Sequence, residues 1–262
     1  MTSGPVVQSN LRLAGELLEQ AASLGARLAV LPENFAFLGE GDAARLAIAE
    51  APGEGPLQAF LAGQAARLGL WIVGGTLPLA TADAQRAAAA CLVYDADGQQ
   101  VARYDKIHLF DVTIPGRDER YRESASTRAG QCPVSVESPA GRLGLAVCYD
   151  LRFPELFRRL AAEGVATVAL PAAFTEATGR AHWEILVRAR AIENLGHVIA
   201  AAQTGLHENG RETHGDSMIV DAWGEVLARR RDGTGVITAD LDMERQQALR
   251  RGFPALDHRI LQ

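Results

Sequence analysis

Apolar side chains recur with two different spacings along the first third of the chain. Leu11, Ala14, Leu17, Leu18, Ala21 and Ala22 fall three or four residues apart and share one helix face, with Asn10 placed to cap the start and Gly25 to end it. ARLAVLPE then changes to a β run that delivers Glu33 just past its end, and a second helical period over Leu57 to Leu68 closes at Gly69. LWIVGGTLPLA predicts a strand. CLVYDA and QQVARY flank Asp97-Gly98, a dipeptide that supplies the positive φ angles of a tight hairpin, so Lys106 lies just beyond a hairpin strand. The polar, turn-rich stretch from Leu109 to Gly130 predicts a long loop.

GRLGLAVC predicts a strand ending at Cys148, and PELFRRLAAEG a helix with Pro154 in its first turn and Gly164 at its end. VATVALP, WEILVRARAIENLG and HVIAAAQT predict strand, helix and strand. DSMIVDAWGEVLARR predicts a second hairpin, followed by a GVITADLD strand and a closing helix. Strands alternating with helices and then with hairpins imply an α/β fold of two mixed sheets with helices outside. The near-continuous apolar runs VATVALP and HVIAAA fit strands covered on both faces. No repeat, low-complexity run or linker interrupts the pattern, so residues 1–262 are expected to form a single domain.

Composition narrows the function classes. A formal charge of −6 with dispersed arginines argues against nucleic-acid binding, which needs a basic face. No apolar run reaches the length of a membrane span, and MTSGPVVQSN lacks the basic and apolar regions of a secretory signal. Cys91, Cys132 and Cys148 make an odd set without CxxC spacing, which points to reduced thiols in the cytoplasm. The six histidines show no HExxH-like spacing, and no GxSxG elbow, GxGxxG or GxxxxGK[ST] loop occurs, so neither metal nor organic cofactor is expected.

Three separate segments each put one reactive side chain at the end of a β-patterned run: Glu33 in LPENF, Lys106 in YDKIHL and Cys148 in CYDLRFPEL. Taken singly, each has a bland role as turn acid, hairpin-end charge or small core residue. Together a carboxylate, an ammonium and a thiol give a base, a charge stabiliser and a nucleophile, enough for covalent amide hydrolysis without a cofactor. The strand, sharp turn and helix around Cys148 suit a nucleophile lifted out of a sheet. A nearby Lys106 ammonium is expected to lower the thiol's pKa, for which about 2 kcal/mol of selective thiolate stabilisation suffices. Glu123, in YRESAS, could hold Lys106 or tune Glu33. Arg152 could pair bidentately with a substrate carboxylate or form an ion pair with Glu155 or Asp150.

The three segments, in this order, resemble the nitrilase superfamily of carbon-nitrogen hydrolases over about Met1 to Arg259. The resemblance implies an αββα four-layer sandwich and a catalytic set of Glu33 as general base, Lys106 as oxyanion stabiliser, Cys148 as nucleophile and Glu123 as supporting acid, with the Tyr149 N–H completing an oxyanion hole. LPENFAFLGE, AFTEATGRAHWEILVRARAIEN and AAAQTG with HGDSMIVDAWGEV look most like the branch that includes deaminated glutathione amidase and ω-amidase. That implies a small anionic ω-amide substrate, with Phe174, Thr175 and Thr178 lining its pocket beside Arg152. A homodimer or higher homo-oligomer is implied as well. Deaminated glutathione is the expected substrate, α-ketoglutaramate the alternative, and a catalytically silent interaction scaffold the alternative of another class. In one respect the sequence departs from the family: relatives open on a β strand, whereas Met1-Thr2-Ser3 matches residues at and after its end. An unpaired strand edge and an open apolar slot are therefore expected.

Overall fold

The computed structural model describes residues 1–116 and 119–260 of the 262. Its first half runs α1 (Val7–Ser23), β1 (Leu28–Val30), α2 (Asp42–Ala47), α3 (Pro56–Leu68), β2 (Trp71–Val73), β3 (Leu77–Ala80), β4 (Ala87–Tyr94), β5 (Gln100–Asp105), β6 (Asp111–Thr113), β7 (Arg120–Arg122) and β8 (Thr127–Arg128). The second half runs β9 (Ser135–Ser138), β10 (Gly141–Leu145), α4 (Pro154–Ala162), β11 (Thr167–Ala172), α5 (Glu176–Asn194), β12 (His197–Ala202), β13 (Thr204–Leu206), β14 (Glu212–His214), β15 (Ser217–Val220), β16 (Val226–Arg230) and α6 (Met243–Gly252).

Each half of the chain builds one mixed sheet. In the first, β1 pairs parallel with β2, and β4 receives β2 and β3 along one edge and β5 and β8 along the other. The second has the order β16-β15-β12-β11-β10-β9, parallel through β10, β11 and β12 and antiparallel outside them. Alternation along β4 sends Cys91 and Val93 toward the second sheet, where they meet Leu143, Leu145, Leu170 and Val198. Leu92 and Tyr94 point the other way, onto Leu18 of α1 and Leu61 of α3. Phe157 of α4 and Trp183 of α5 cover the far face of the second sheet. The layers are helix, sheet, sheet, helix, the sandwich that the alternating pattern implied.

Several local expectations shift. Asn10 lies inside α1 and does not cap it: its buried amide accepts from the Gly4 N–H at 2.9 Å and donates to the Gly4 and Ala36 carbonyls, each at 2.8 Å. LWIVGGTLPLA is two strands, broken where Gly75 takes a φ of +55°. The stretch from Leu109 to Gly130 carries the β6–β7 hairpin and a 3₁₀ turn at Glu123–Ala125. GVITADLD forms no strand. Val236 to Leu241 run instead along one wall of a groove of about 470 Å³ whose other walls include Leu28, Val30 and Ile199. Among the described residues β1 pairs only with β2, and Leu28 and Val30 of β1 border this groove. The Met1 ammonium at the same groove is pushed down to about 6 by burial and by the charge of Arg230.

Gly75 matters for the site because a Cβ there would lie 2.1 Å from the carbonyl oxygen of Pro32, immediately before Glu33. Gly75→Ala is expected to cost about 2–4 kcal/mol through the positive φ and this backbone clash. Urea unfolding of wild type and variant checks it, and an unchanged midpoint would contradict the close approach.

Candidate active site

Glu33 leaves the end of β1, Lys106 the end of β5 and Cys148 the turn after β10. These strands belong to different sheets, yet they deliver the three side chains to one place. Lys106 Nζ lies 2.8 Å from Glu33 Oε1 and 2.9 and 3.1 Å from the two oxygens of Glu123. Glu123 is steadied by the Phe110 N–H, which donates to its Oε2 at 2.7 Å. The Cys148 thiol faces the Glu33 carboxylate and the backbone of Ala173. All four groups border one cavity of about 600 Å³.

The charges follow from that geometry. Burial opposes ionisation of Glu33, but the charge and hydrogen bond of Lys106 outweigh it, so the carboxyl is held below its usual range. Burial also opposes the Lys106 ammonium, and Glu123 and Glu33 together more than reverse this. The thiol does not behave as the sequence suggested. Burial, and then the Glu33 charge, push Cys148 well above the usual thiol range, and Lys106 offsets only part of that. One ammonium already faces two carboxylates, so a thiolate would add a second excess negative charge to a desolvated cavity.

Cys148 sits at a φ of +49°, a strained position for a side chain with a Cβ. Asp150 holds the turn in place. Fully buried, it accepts from the Val147 N–H at 2.8 Å, the Tyr104 hydroxyl at 2.7 Å and the His108 N–H at 3.1 Å, and contacts His108 Nδ1 at 2.7 Å. Sequence reasoning had considered Asp150 only as an ion-pair partner of Arg152.

Tyr149, Phe174, Thr175 and Thr178 all line the cavity. Thr175 also caps α5, its hydroxyl accepting from the Thr178 N–H. Arg152 packs behind two of these lining rings, near enough for the charge of Cys148 to act on it. Its guanidinium lies over the rings of Phe174 and Tyr149, at 5.2 and 5.9 Å, and meets His182 Nδ1 at 3.2 Å, outside the cavity lining. The cations that do line it besides Lys106 are Arg45, Arg120, Arg122 and Arg211, none of them singled out by pattern. Arg45 comes from the short helix α2, Arg120 and Arg122 from the β6–β7 hairpin and Arg211 from the β13–β14 loop, elements too short for periodicity to mark a facing direction. Among the described residues no group of three His, Cys, Asp or Glu side chains could hold a metal ion, and no helix is long and apolar enough to cross a membrane.

The sandwich and this cavity place the molecule among hydrolases of carbon-nitrogen bonds other than peptide bonds. Residues 5–251 match the carbon-nitrogen hydrolase family, and the chain belongs to it. It is 43% identical over 263 residues to the deaminated glutathione amidase of Synechocystis, covering 99% of this chain and 96% of that one. It is also 43% identical to the deaminated glutathione amidase of Homo sapiens, covering 99% and 80%. Among solved structures, the Caenorhabditis elegans NitFhit protein superposes with a TM-score of 0.92 at 38% identity, over 99% of this chain and 63% of the longer fusion chain.

Because Glu33 raises the thiol, Glu33→Gln is expected to move the pH profile of Cys148 alkylation toward lower pH while turnover falls. Iodoacetamide labelling followed by mass spectrometry from pH 6 to pH 10, beside a steady-state assay, reads both. A profile that moves to higher pH would reverse the assigned sign.

Proposed function

We propose that the protein is a thiol amidohydrolase that cleaves a small anionic ω-amide through a Cys148 thioester. The observation that carries this reading is the convergence of Cys148, Glu33 and Lys106 on one cavity, with Lys106 hydrogen-bonded to Glu33. Glu33, ionised beside a protonated thiol, takes the proton as sulfur attacks the amide carbonyl carbon. Lys106 Nζ and the Tyr149 N–H stabilise the oxyanion that forms, and Glu123 keeps Lys106 charged and in place. Collapse of the tetrahedral intermediate breaks the carbon-nitrogen bond, and Glu33 returns the proton to the departing nitrogen, releasing ammonia or an amine. Glu33 then deprotonates water, which attacks the thioester. The free acid leaves and the sulfur regains its proton.

A protonated resting thiol suits this cycle. Proton transfer accompanies attack, so no free thiolate has to be stabilised beforehand, and a carboxylate already held ionised can act as base near neutral pH. Deaminated glutathione is the proposed substrate, supported by the named activity of the relatives and by a cavity wall carrying four arginines. Three free thiols, two of them buried, suit a reducing cytoplasm. Assembly as a homodimer is supported by exposed Ile185 and Ile192 on α5 and exposed Trp223 on the turn before β16.

Cys148→Ala is expected to keep the fold and lose at least about a thousandfold in turnover. Lys106→Ala should lose turnover too, and should also lose stability as pH rises. Without the ammonium, burial raises the Glu33 carboxyl in the folded state, so the folded form is favoured while it remains protonated and loses stability as pH rises through that raised value. Ammonia or amine release, with thermal melts between pH 5 and pH 8, measures both effects. Specificity constants for deaminated glutathione and α-ketoglutaramate decide the substrate, and full activity of Cys148→Ala would end the proposal.

A further inference from the structure

Arg211 borders the cavity, and its charge adds to that of Lys106 in holding the Glu33 carboxyl below its usual range. It stands just before β14, at the end of the β13–β14 hairpin, half-buried. The hairpin end is pinned: the Arg211 N–H donates to Asn209 Oδ1 at 3.0 Å, and its carbonyl accepts from the His207 N–H at 2.8 Å. The guanidinium is oriented by one hydrogen bond, Nη2 to the Ala173 carbonyl at 2.5 Å, and by the Tyr121 ring 5.4 Å from its centre. Its Nε is buried and finds no acceptor among the described residues. Among the described residues no carboxylate forms an ion pair with it.

Arg120 and Arg122 of β7 border the cavity as well, whereas three neighbouring cations are differently placed. Lys106 is bracketed by Glu33 and Glu123, Arg45 donates to the hydroxyls of Ser126 and Thr127, and Arg152 lies outside the lining. An oriented guanidinium that borders the cavity and has no ion-pair partner among the described residues is a prepared donor site, and a planar carboxylate matches it in charge and shape.

We infer that Arg211 is the specificity-determining residue of this pocket, and that it binds a carboxylate carried by the substrate away from the scissile amide. The assignment rests on the amidase reading for the identity of the ligand, but the binding itself does not require turnover. It competes with a purely structural role, in which Arg211 only holds the Ala173 carbonyl whose peptide neighbourhood touches Cys148.

Two measurements separate these roles. Calorimetric titration of Cys148→Ala protein with 2-oxoglutarate, a dicarboxylate of the product class, should show binding that Arg211→Gln weakens by about tenfold or more. In the active enzyme, Arg211→Gln should raise KM for a carboxylate-bearing ω-amide about tenfold more than for the methyl ester of the same amide, with kcat changed less than KM. Arg211→Lys keeps the charge and should recover part of the loss, and it carries the test should Arg211→Gln fail to fold. Equal losses on acid and ester, or unchanged 2-oxoglutarate binding, would overturn the assignment. Arg211-dependent binding with no turnover of any amide by the wild type would instead overturn the amidase reading and leave the carboxylate site standing.

Discussion

A single buried ammonium held between two carboxylates governs what this cavity can do. Lys106 is almost wholly removed from water, and its charge is sustained only because Glu33 and Glu123 lie within hydrogen-bond distance. Taking such ions out of water costs several kcal/mol each, which close attraction and further hydrogen bonds must offset. Here they do so through two carboxylate contacts and the Phe110 N–H on Glu123. Because the ammonium is already committed, it cannot also hold Cys148 as a thiolate. The resting arrangement is therefore thiol beside carboxylate. In the proposed reaction, the ammonium is the group that meets negative charge on the oxygen of a bound amide, where it has no reorganisation left to make.

The sandwich supplies the convergence that this arrangement needs. β1 and β5 come from the first sheet and β10 from the second, and the sheets pack so that all three chain exits open on one cavity. Each exit has its own backbone device. Gly75 lets the chain pass close to Pro32, and Asn34 adopts a φ of +56° just after Glu33. Asp150 gathers the strained Cys148 turn, the hydroxyl of Tyr104 from β5 and the backbone of His108 into one buried network. That network ties the position of the nucleophile to the strand that carries Lys106, so the distances between reacting groups are set by packing between sheets.

Much of this was legible in the sequence wherever a signal is local. Gly69 ends α3 in the left-handed region, Pro154 opens α4, and Asp97-Gly98 turns the β4–β5 hairpin. The same holds for the positions of Glu33, Lys106 and Cys148 at strand ends, and their similarity to a known family supplied the order. What was not legible depends on distant partners. Asn10 reads as a cap but serves as a buried clamp because Gly4 and Ala36 come to it. GVITADLD has a strand's pattern and no ladder, since a ladder needs a neighbour that periodicity cannot supply. Arg152 and Arg211 are indistinguishable as letters, and only packing shows one over aromatic rings outside the cavity and the other bordering it.

The distribution of charge joins recognition to chemistry. On the proposed reading, the two carboxylates against one ammonium beside Cys148 repel an anion, whereas Arg45, Arg120, Arg122 and Arg211 in the same lining attract one, Arg211 acting on Glu33 as well. An ω-amide with a carboxylate at its other end meets both fields at once. Its charged end is favoured beside the arginines and disfavoured beside the carboxylates, so the neutral amide is the part turned toward Cys148. The same gradient favours departure after hydrolysis, because the new carboxylate is formed next to Glu33 and Glu123, where it is least stable. A cavity net negative where bonds change and net positive where the substrate is held thus orients the reactant and disfavours retention of the product acid, using only charges that the fold already fixes.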